Sequence, residues 1–236
     1  MSIAENVAAI RAKMDAAAIR CGRDPKEIKL CAATKMNDAD AVRQAIAAGV
    51  DLCGENRVQE LVQKQKENAY EGAPVHFIGV LQTNKVKQVV GKVDVIQSVD
   101  RMNLLAAIQK EAAKQGIRQD ILLEVNIGEE ASKSGFRAEE VLPLLEHIGE
   151  FPNIFVRGLM AIPPISENFG DNRKFFQEML QLSVDITAKK YDNVSMDCLS
   201  MGMSDDFEDA VCCGSTMIRI GTAIFGARDY AKLHLK

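Results

Sequence analysis

The apolar run "IKLCAAT" closes on a lysine, Lys35, and helix-starting residues follow at once in "MND". A lysine so placed is either a solvated charge or a nucleophile held in a pocket. Lysine shifts its pKa readily when buried, which makes it the usual Schiff-base amine. Other residues with chemical capacity sit just past, or within, other β-rich runs. These are "GENR" at 54–57, "LQTNK" at 81–85, "KSGF" at 133–136, "SMGMSDD" at 200–206 and "RIGT" at 219–222. "SMGMSDD" offers a hydroxyl, a glycine and a helix start. Gly221-Thr222 offers close backbone approach and a second hydroxyl. Backbone N–H groups and helix N-termini suit a phosphate. Each feature also has a plain structural reading: Ser204 or Asp205 as a helix N-cap, Gly221 as an aid to tight strand packing.

The elements that must position these residues alternate along the chain. Strands are expected at 27–34, 50–54, 75–80, 93–99, 120–127, 154–162, 194–201 and 216–225. Helical patterns fall at 38–48, 57–70, 102–115, 139–148, 172–189 and 205–211, with a shorter helix at 83–90. An amphipathic helix precedes them, with Ile3, Val7, Ile10, Met14 and Ala17 on one face. Such alternation argues an α/β fold with a parallel sheet, and the nearly continuous apolar strands argue that both faces are covered. Eight units in 236 residues predict a single (β/α)8 TIM-type barrel with an extra N-terminal helix, one domain over 1–236. An open doubly wound sheet is the alternative. In a barrel the active site forms at the C-terminal ends of the strands, with phosphate held after strands seven and eight. That is where Lys35 and the "SMGMSDD" and "GT" stretches fall. Pyridoxal 5'-phosphate needs an amine for its aldehyde, donors for its phosphate and a partner for its ring nitrogen. Lys35, the Ser200 and Gly221-Thr222 loops, and Arg219 could supply these in turn.

Composition excludes other classes. A net charge of −4 provides no global basic field, and no basic-aromatic interleaving is present, so a nucleic-acid module is disfavoured. No GxGxxG follows the first strand and no GxxxxGK[ST] occurs. The N-terminus lacks a secretory layout and no apolar run approaches membrane-spanning length, which predicts a cytoplasmic protein without membrane contact. Six cysteines form no CxxC pair. Cys31, Cys53 and Cys198 lie in apolar runs and Cys212-Cys213 is vicinal, so reduced cytosolic thiols are expected rather than a disulfide or metal framework.

The segments "AATK", "GENRVQE", "HFIG", "LQTNK", "EVNIGEEASKSGF", "RGLMAIPP" and "LSMGMSDDFEDAVCCGSTMIRIGTAIFGARDY" resemble the pyridoxal phosphate homeostasis proteins, which share the barrel of alanine racemases. The resemblance covers nearly the whole chain. It implies a barrel holding pyridoxal 5'-phosphate as an internal aldimine on Lys35, with Arg219 facing the ring nitrogen. It implies further that Ser200, Gly221 and Thr222 hold the phosphate and that Asn56 lines the same pocket. The family usually reads Val-Ser-Lys-Thr where this chain has Ala33-Thr34-Lys35-Met36. Thr34 keeps a hydroxyl and Met36 loses one, which should alter local contacts without abolishing the imine.

An arginine stays protonated at any working pH, so a ring nitrogen facing Arg219 remains unprotonated and the ring is a weak electron sink. A racemase also needs two opposed proton carriers. In alanine racemases the resemblance places the second, a tyrosine, on an extra β-domain. Here the chain stops about ten residues after the last strand, so no such domain is expected. Tyr70, Tyr191 and Tyr230 fall away from the expected strand ends. His76 precedes strand three at the wrong end, His147 lies on a helix and His234 in the tail. The expected role is therefore cofactor buffering or delivery in vitamin B6 homeostasis by a monomer, with pyridoxal-phosphate-dependent apo-enzymes as candidate recipients and no catalytic residue. A small racemase is the alternative. Lys133 is the next candidate amine.

Overall fold

The computed structural model describes residues 1–130, 133–164 and 170–226. Eight parallel strands close into one barrel in sequence order. They are β1 (Lys29–Ala33), β2 (Leu52–Glu55), β3 (Val75–Phe77), β4 (Val95–Val99), β5 (Gln119–Val125), β6 (Ile154–Ala161), β7 (Val194–Ser200) and β8 (Met217–Ile220). The seam is the β1–β8 ladder, which sets Lys29 to Ala32 beside Met217 to Ile220. The helices are α1 (Ile3–Arg20), α2 (Ala39–Ala47), α3 (Val58–Lys66), α4 (Met102–Gln115), α5 (Ala138–Glu146), α6 (Arg173–Lys189), α7 (Phe207–Cys212) and α8 (Thr222–Phe225). The 83–90 stretch forms a 3-10 helix, Thr83–Gln88.

The expected N-terminal helix is α1. Its start is fixed by a capping box: the Ser2 hydroxyl accepts from the Glu5 amide, and the Glu5 carboxylate accepts from the Ser2 amide. Val7, Ile10, Met14, Ala17 and Ala18 form its buried face. That face packs with Leu30 and Ala32 of β1, Ile218 and Ile220 of β8, Val211 and Ile224. The N-terminal helix thus covers the outside of the seam, where α8, only four residues long, cannot.

Strand alternation explains how the mouth is built. Cys31, Leu52 and Met217 are buried in a cluster of their own, with Cys198 packed on it, apart from the two outer cores. Side chains two residues on share that inner face. The inner files therefore run Cys31–Ala33, Leu52–Gly54, Cys198–Ser200 and Met217–Arg219, and the next positions outward are Lys35, Asn56 and Gly221.

Four expectations need correction. Strand eight stops at Ile220, and "TAIF" forms α8, not more strand. The β1 ladder ends at Ala32 opposite Ile220, the amides of Ile224 and Phe225 turn back onto the Gly221 carbonyl, and Ile224 is buried under α1. Strand three is only Val75–Phe77. Gly79 instead packs on the backbone of Asn56, where a Cβ would lie 2.2 Å from the Asn56 carbonyl oxygen. His76 does not precede this strand but is its middle residue, buried. Finally, Cys21 and Cys212 are disulfide-bonded across a separation of 191 residues, with Cα atoms 5.3 Å apart. Local spacing carries no trace of this pair, because only folding brings the end of α1 to the end of α7. Cys31, Cys53, Cys198 and Cys213 are free thiols.

Candidate functional site

The inner face of β8 presents Arg219, 5% exposed. Its guanidinium donates to the Ser200 hydroxyl at 2.6 Å and to the Ala161 carbonyl at 2.9 Å. The Ser200 hydroxyl in turn donates a hydrogen bond to Gln97 Oε1 at 2.7 Å, and the Gln97 amide nitrogen lies 2.8 Å from His76 Nδ1. A buried polar chain therefore crosses the barrel from β3 through β4 and β7 to β8. The Gln97 amide can only donate, so His76 Nδ1 accepts and its proton sits on Nε2. Burial pushes His76 down to about 4, with Asp94 opposing, so it is neutral. Burial also lowers the Arg219 pKa, with Cys31 and Glu124 acting against it, yet a guanidinium remains a cation.

Glu124 on β5 faces this cation. Burial and then Asp100 push its carboxyl up to about 7, while Arg219 and Arg101 pull it back. It sits inside the barrel mouth as an acid poised near neutrality.

Lys35 is half-buried, in a turn after β1. The turn is held from below by a second polar group. Glu55, fully buried at the end of β2, takes the Lys64 ammonium at 2.7 Å, the Tyr70 hydroxyl at 3.1 Å and the Thr34 hydroxyl at 3.1 Å on one oxygen. Its other oxygen accepts the Asn56 amide at 2.8 Å. Tyr70 is another correction. Its backbone lies beyond α3, but its hydroxyl reaches the strand end. Burial and the Glu55 carboxylate raise its pKa far above the ordinary phenol value, so it keeps its proton.

The structure brings most of the expected site residues together. Ser200 and Arg219 are in direct contact. An added Cβ at Gly221 would meet Ala33 at 3.5 Å, so the turn after β8 lies beside the end of β1, two residues before Lys35. Asn56 is tied to the Lys35 turn through Glu55 and Lys64, and its Oδ1 is buried without a hydrogen-bond partner. Thr222 is exposed at the start of α8. Ser200 is fully buried with its hydroxyl already committed, so it lies deeper than Thr222. Lys133 is paired with Glu130 at 2.6 Å and donates to the Pro163 carbonyl at 2.8 Å. His147 is exposed beside Glu150, and the Tyr191 hydroxyl is buried without a partner. Tyr230 and His234 lie outside the described residues.

Gln97, Glu124 and Lys64 were not singled out from sequence; Glu55 was, only as part of the "GENR" stretch, with no role given. Of the unforeseen residues, the first two left a signal, a polar residue inside the apolar runs "VIQSV" and "ILLEVNI". Lys64 left a weaker one, since Val58, Leu61 and Lys64 recur every three residues on the buried side of α3.

Residues 3–229 match the family model described as "Alanine racemase, N-terminal domain". The chain is 43% identical over 230 residues to a pyridoxal phosphate homeostasis protein of Aquifex aeolicus, covering 98% of this chain and 100% of that one. It is 43% identical over 234 residues to the protein of the same name in Escherichia coli, covering 98% of each. PipY of Synechococcus elongatus, solved with PLP bound, superposes with a TM-score of 0.82 at 30% identity, covering 95% of this chain and 100% of PipY. The alanine racemase of Streptomyces coelicolor shares the fold alone, with a TM-score of 0.66 at 18% identity; 94% of this chain is covered against 59% of the racemase. Matched by that family model over residues 3–229 and 43% identical over 98% of its length to the Aquifex and Escherichia proteins, the chain belongs to the pyridoxal phosphate homeostasis protein family.

Proposed function

We propose that this chain is one barrel domain over residues 1–236 that binds pyridoxal 5'-phosphate at the C-terminal mouth. In this reading it serves intracellular vitamin B6 homeostasis by buffering or delivering the cofactor, without ordinary amino-acid chemistry. The observation that carries the reading is the buried Arg219 cation, fixed by Ser200 and Ala161 on the inner face next to the Lys35 strand. The remaining residues fit the cofactor. The orphaned Asn56 Oδ1 has an open acceptor, Gly221 leaves room beside Ala33, and Thr222 adds a hydroxyl at the rim.

When bound, pyridoxal 5'-phosphate supplies an aldehyde that condenses with a lysine amine, releasing one water and changing no oxidation state. Lys35 is the amine assigned to it. Arg219 holds a proton that it does not release, so the group it faces must accept a hydrogen bond. Gly221 and Thr222 are assigned to the phosphate; Ser200, expected beside them, has its hydroxyl committed to Gln97 and Arg219 and is assigned to holding Arg219 in place, and Asn56 to the pocket wall. Racemisation would need a second proton carrier opposite Lys35. Tyr70 is committed to Glu55 with a strongly raised pKa, which weighs against it. Among the described residues no helix is long and apolar enough to cross a membrane. The reading includes a cytoplasmic monomer that hands cofactor to apo-enzymes.

Titration of the purified protein with pyridoxal 5'-phosphate should give a visible absorption band that Lys35→Ala removes, and the loaded protein should activate an added apo-enzyme. A normal band in Lys35→Ala refutes the assignment of Lys35. Stereospecific α-proton exchange of amino acids in deuterated water would favour a racemase instead.

A further inference from the structure

The Lys35 turn is gripped on both sides by one ion pair from α3. Lys64 Nζ donates to the Thr34 carbonyl at 2.8 Å, the peptide before Lys35. Glu60 Oε2 accepts the Met36 amide at 2.7 Å, the peptide after it. Lys64 and Glu60 are themselves joined at 3.2 Å, one helical turn apart. The third Lys64 bond goes to Glu55 at 2.7 Å, so all three ammonium protons are spent. Lys64 is 5% exposed, and a lysine is almost never buried unless it is paired. Met36 has φ +62°, in the left-handed region that a side chain of this size avoids. The turn needs something to hold it there, and the Glu60 carboxylate on the Met36 amide is a charge-assisted bond of that kind. Arg219 belongs to β8, and Gly221 and Thr222 to the turn and short helix after it, whereas Glu60 and Lys64 both belong to α3.

We propose that Glu60 and Lys64 are positioning residues for Lys35: they fix the turn that presents its amine and leave ring and phosphate recognition to β7 and β8. This rests on the assignment of Lys35 as the cofactor amine. It divides the site into a binding half and a condensing half, held by different elements.

The experiment compares two ligands. Pyridoxal 5'-phosphate requires both halves, whereas pyridoxine 5'-phosphate carries an alcohol in place of the aldehyde and requires only the first. Glu60→Ala removes the Met36 acceptor and leaves the buried Lys64–Glu55 pair intact. It should weaken pyridoxal 5'-phosphate binding by about tenfold and slow growth of the visible band, the loss of one charge-assisted hydrogen bond. Calorimetry should find pyridoxine 5'-phosphate affinity changed by no more than about twofold. Glu60→Gln, which restores a neutral acceptor, should recover most of the loss. Equal weakening of both ligands, or no weakening of either, overturns the inference. A wild-type protein that gives no visible band overturns the Lys35 assignment and this inference with it. A wild-type band that Glu60→Ala leaves unchanged overturns this inference alone.

Discussion

Two buried ionisable groups in the barrel displace in opposite directions over the same pH range. Stability measured against pH therefore tests the interior electrostatics directly. His76 falls from 6.5 to about 4 on folding, first because of burial, with Asp94 opposing and Lys29 adding to the shift. Its contribution is present above pH 6.5 and is lost as pH falls towards 4. Glu124 rises from 4.5 to about 7, first because of burial and then Asp100, against Arg219 and Arg101. Its contribution is present below pH 4.5 and is lost as pH rises through 7. Each displacement is worth about 3 kcal/mol, so the two nearly cancel between pH 4.5 and 6.5. Single substitutions expose them. Relative to wild type, Glu124→Gln should gain about 3 kcal/mol between pH 4 and pH 8. His76→Asn, which keeps an acceptor for Gln97, should gain a similar amount in the opposite direction, from pH 8 to pH 4. Urea unfolding across this range reads both, and background charges cancel in the differences. Differences that stay constant with pH to within about 1 kcal/mol would refute the assignment of both groups.

Two further outcomes follow from particular contacts. The Cys21–Cys212 bridge closes a loop of 191 residues, for which the chain-entropy argument gives about 5 kcal/mol as a ceiling. Reduction or Cys212→Ser should lower Tm by roughly 10–20 °C. Thiol titration of the unfolded, unreduced chain should find four thiols, and six would disprove the bridge. Gln97→Leu leaves the Ser200 hydroxyl and His76 Nδ1 without their buried partners, costing about 3 kcal/mol, or roughly 6–12 °C in thermal unfolding. A change under about 2 °C would show that the polar chain does not hold the interior together.

The barrel was legible because seven of the eight apolar strand runs each precede a helical pattern, and eight such strands in a chain of this length suit a closed barrel. Lys35, Arg219 and Gly221 stood out as candidates because a strand end is a place with a known use, whereas Asn56 stood out only through the family resemblance. The fate of "TAIF" was not legible. Its β-branched and aromatic residues suit a strand, but no ladder partner remains once β1 has turned away after Ala33, and burial under α1 favours a helical turn. The Glu55–Lys64 grip was hidden for a similar reason. A lysine and a glutamate nine residues apart look like surface charges until α3 folds back against the end of β2. The disulfide was hidden most completely, since neither cysteine has any local mark of its partner.

The seam between β1 and β8 also has a consequence for how the chain is made. A ribosome adding 5–20 residues each second needs roughly 10–40 s to travel from the first strand to the last. Throughout that interval one edge of β1 has no neighbour, and the apolar face of α1 lacks Phe207, Val211, Ile218, Ile220 and Ile224, half of the ten buried residues that cluster with it. The nascent protein thus carries an open strand edge and a half-covered apolar helix face until its last strand is made. The strand that closes that edge is the one that brings Arg219, so closure of the barrel and completion of the site are a single, late event.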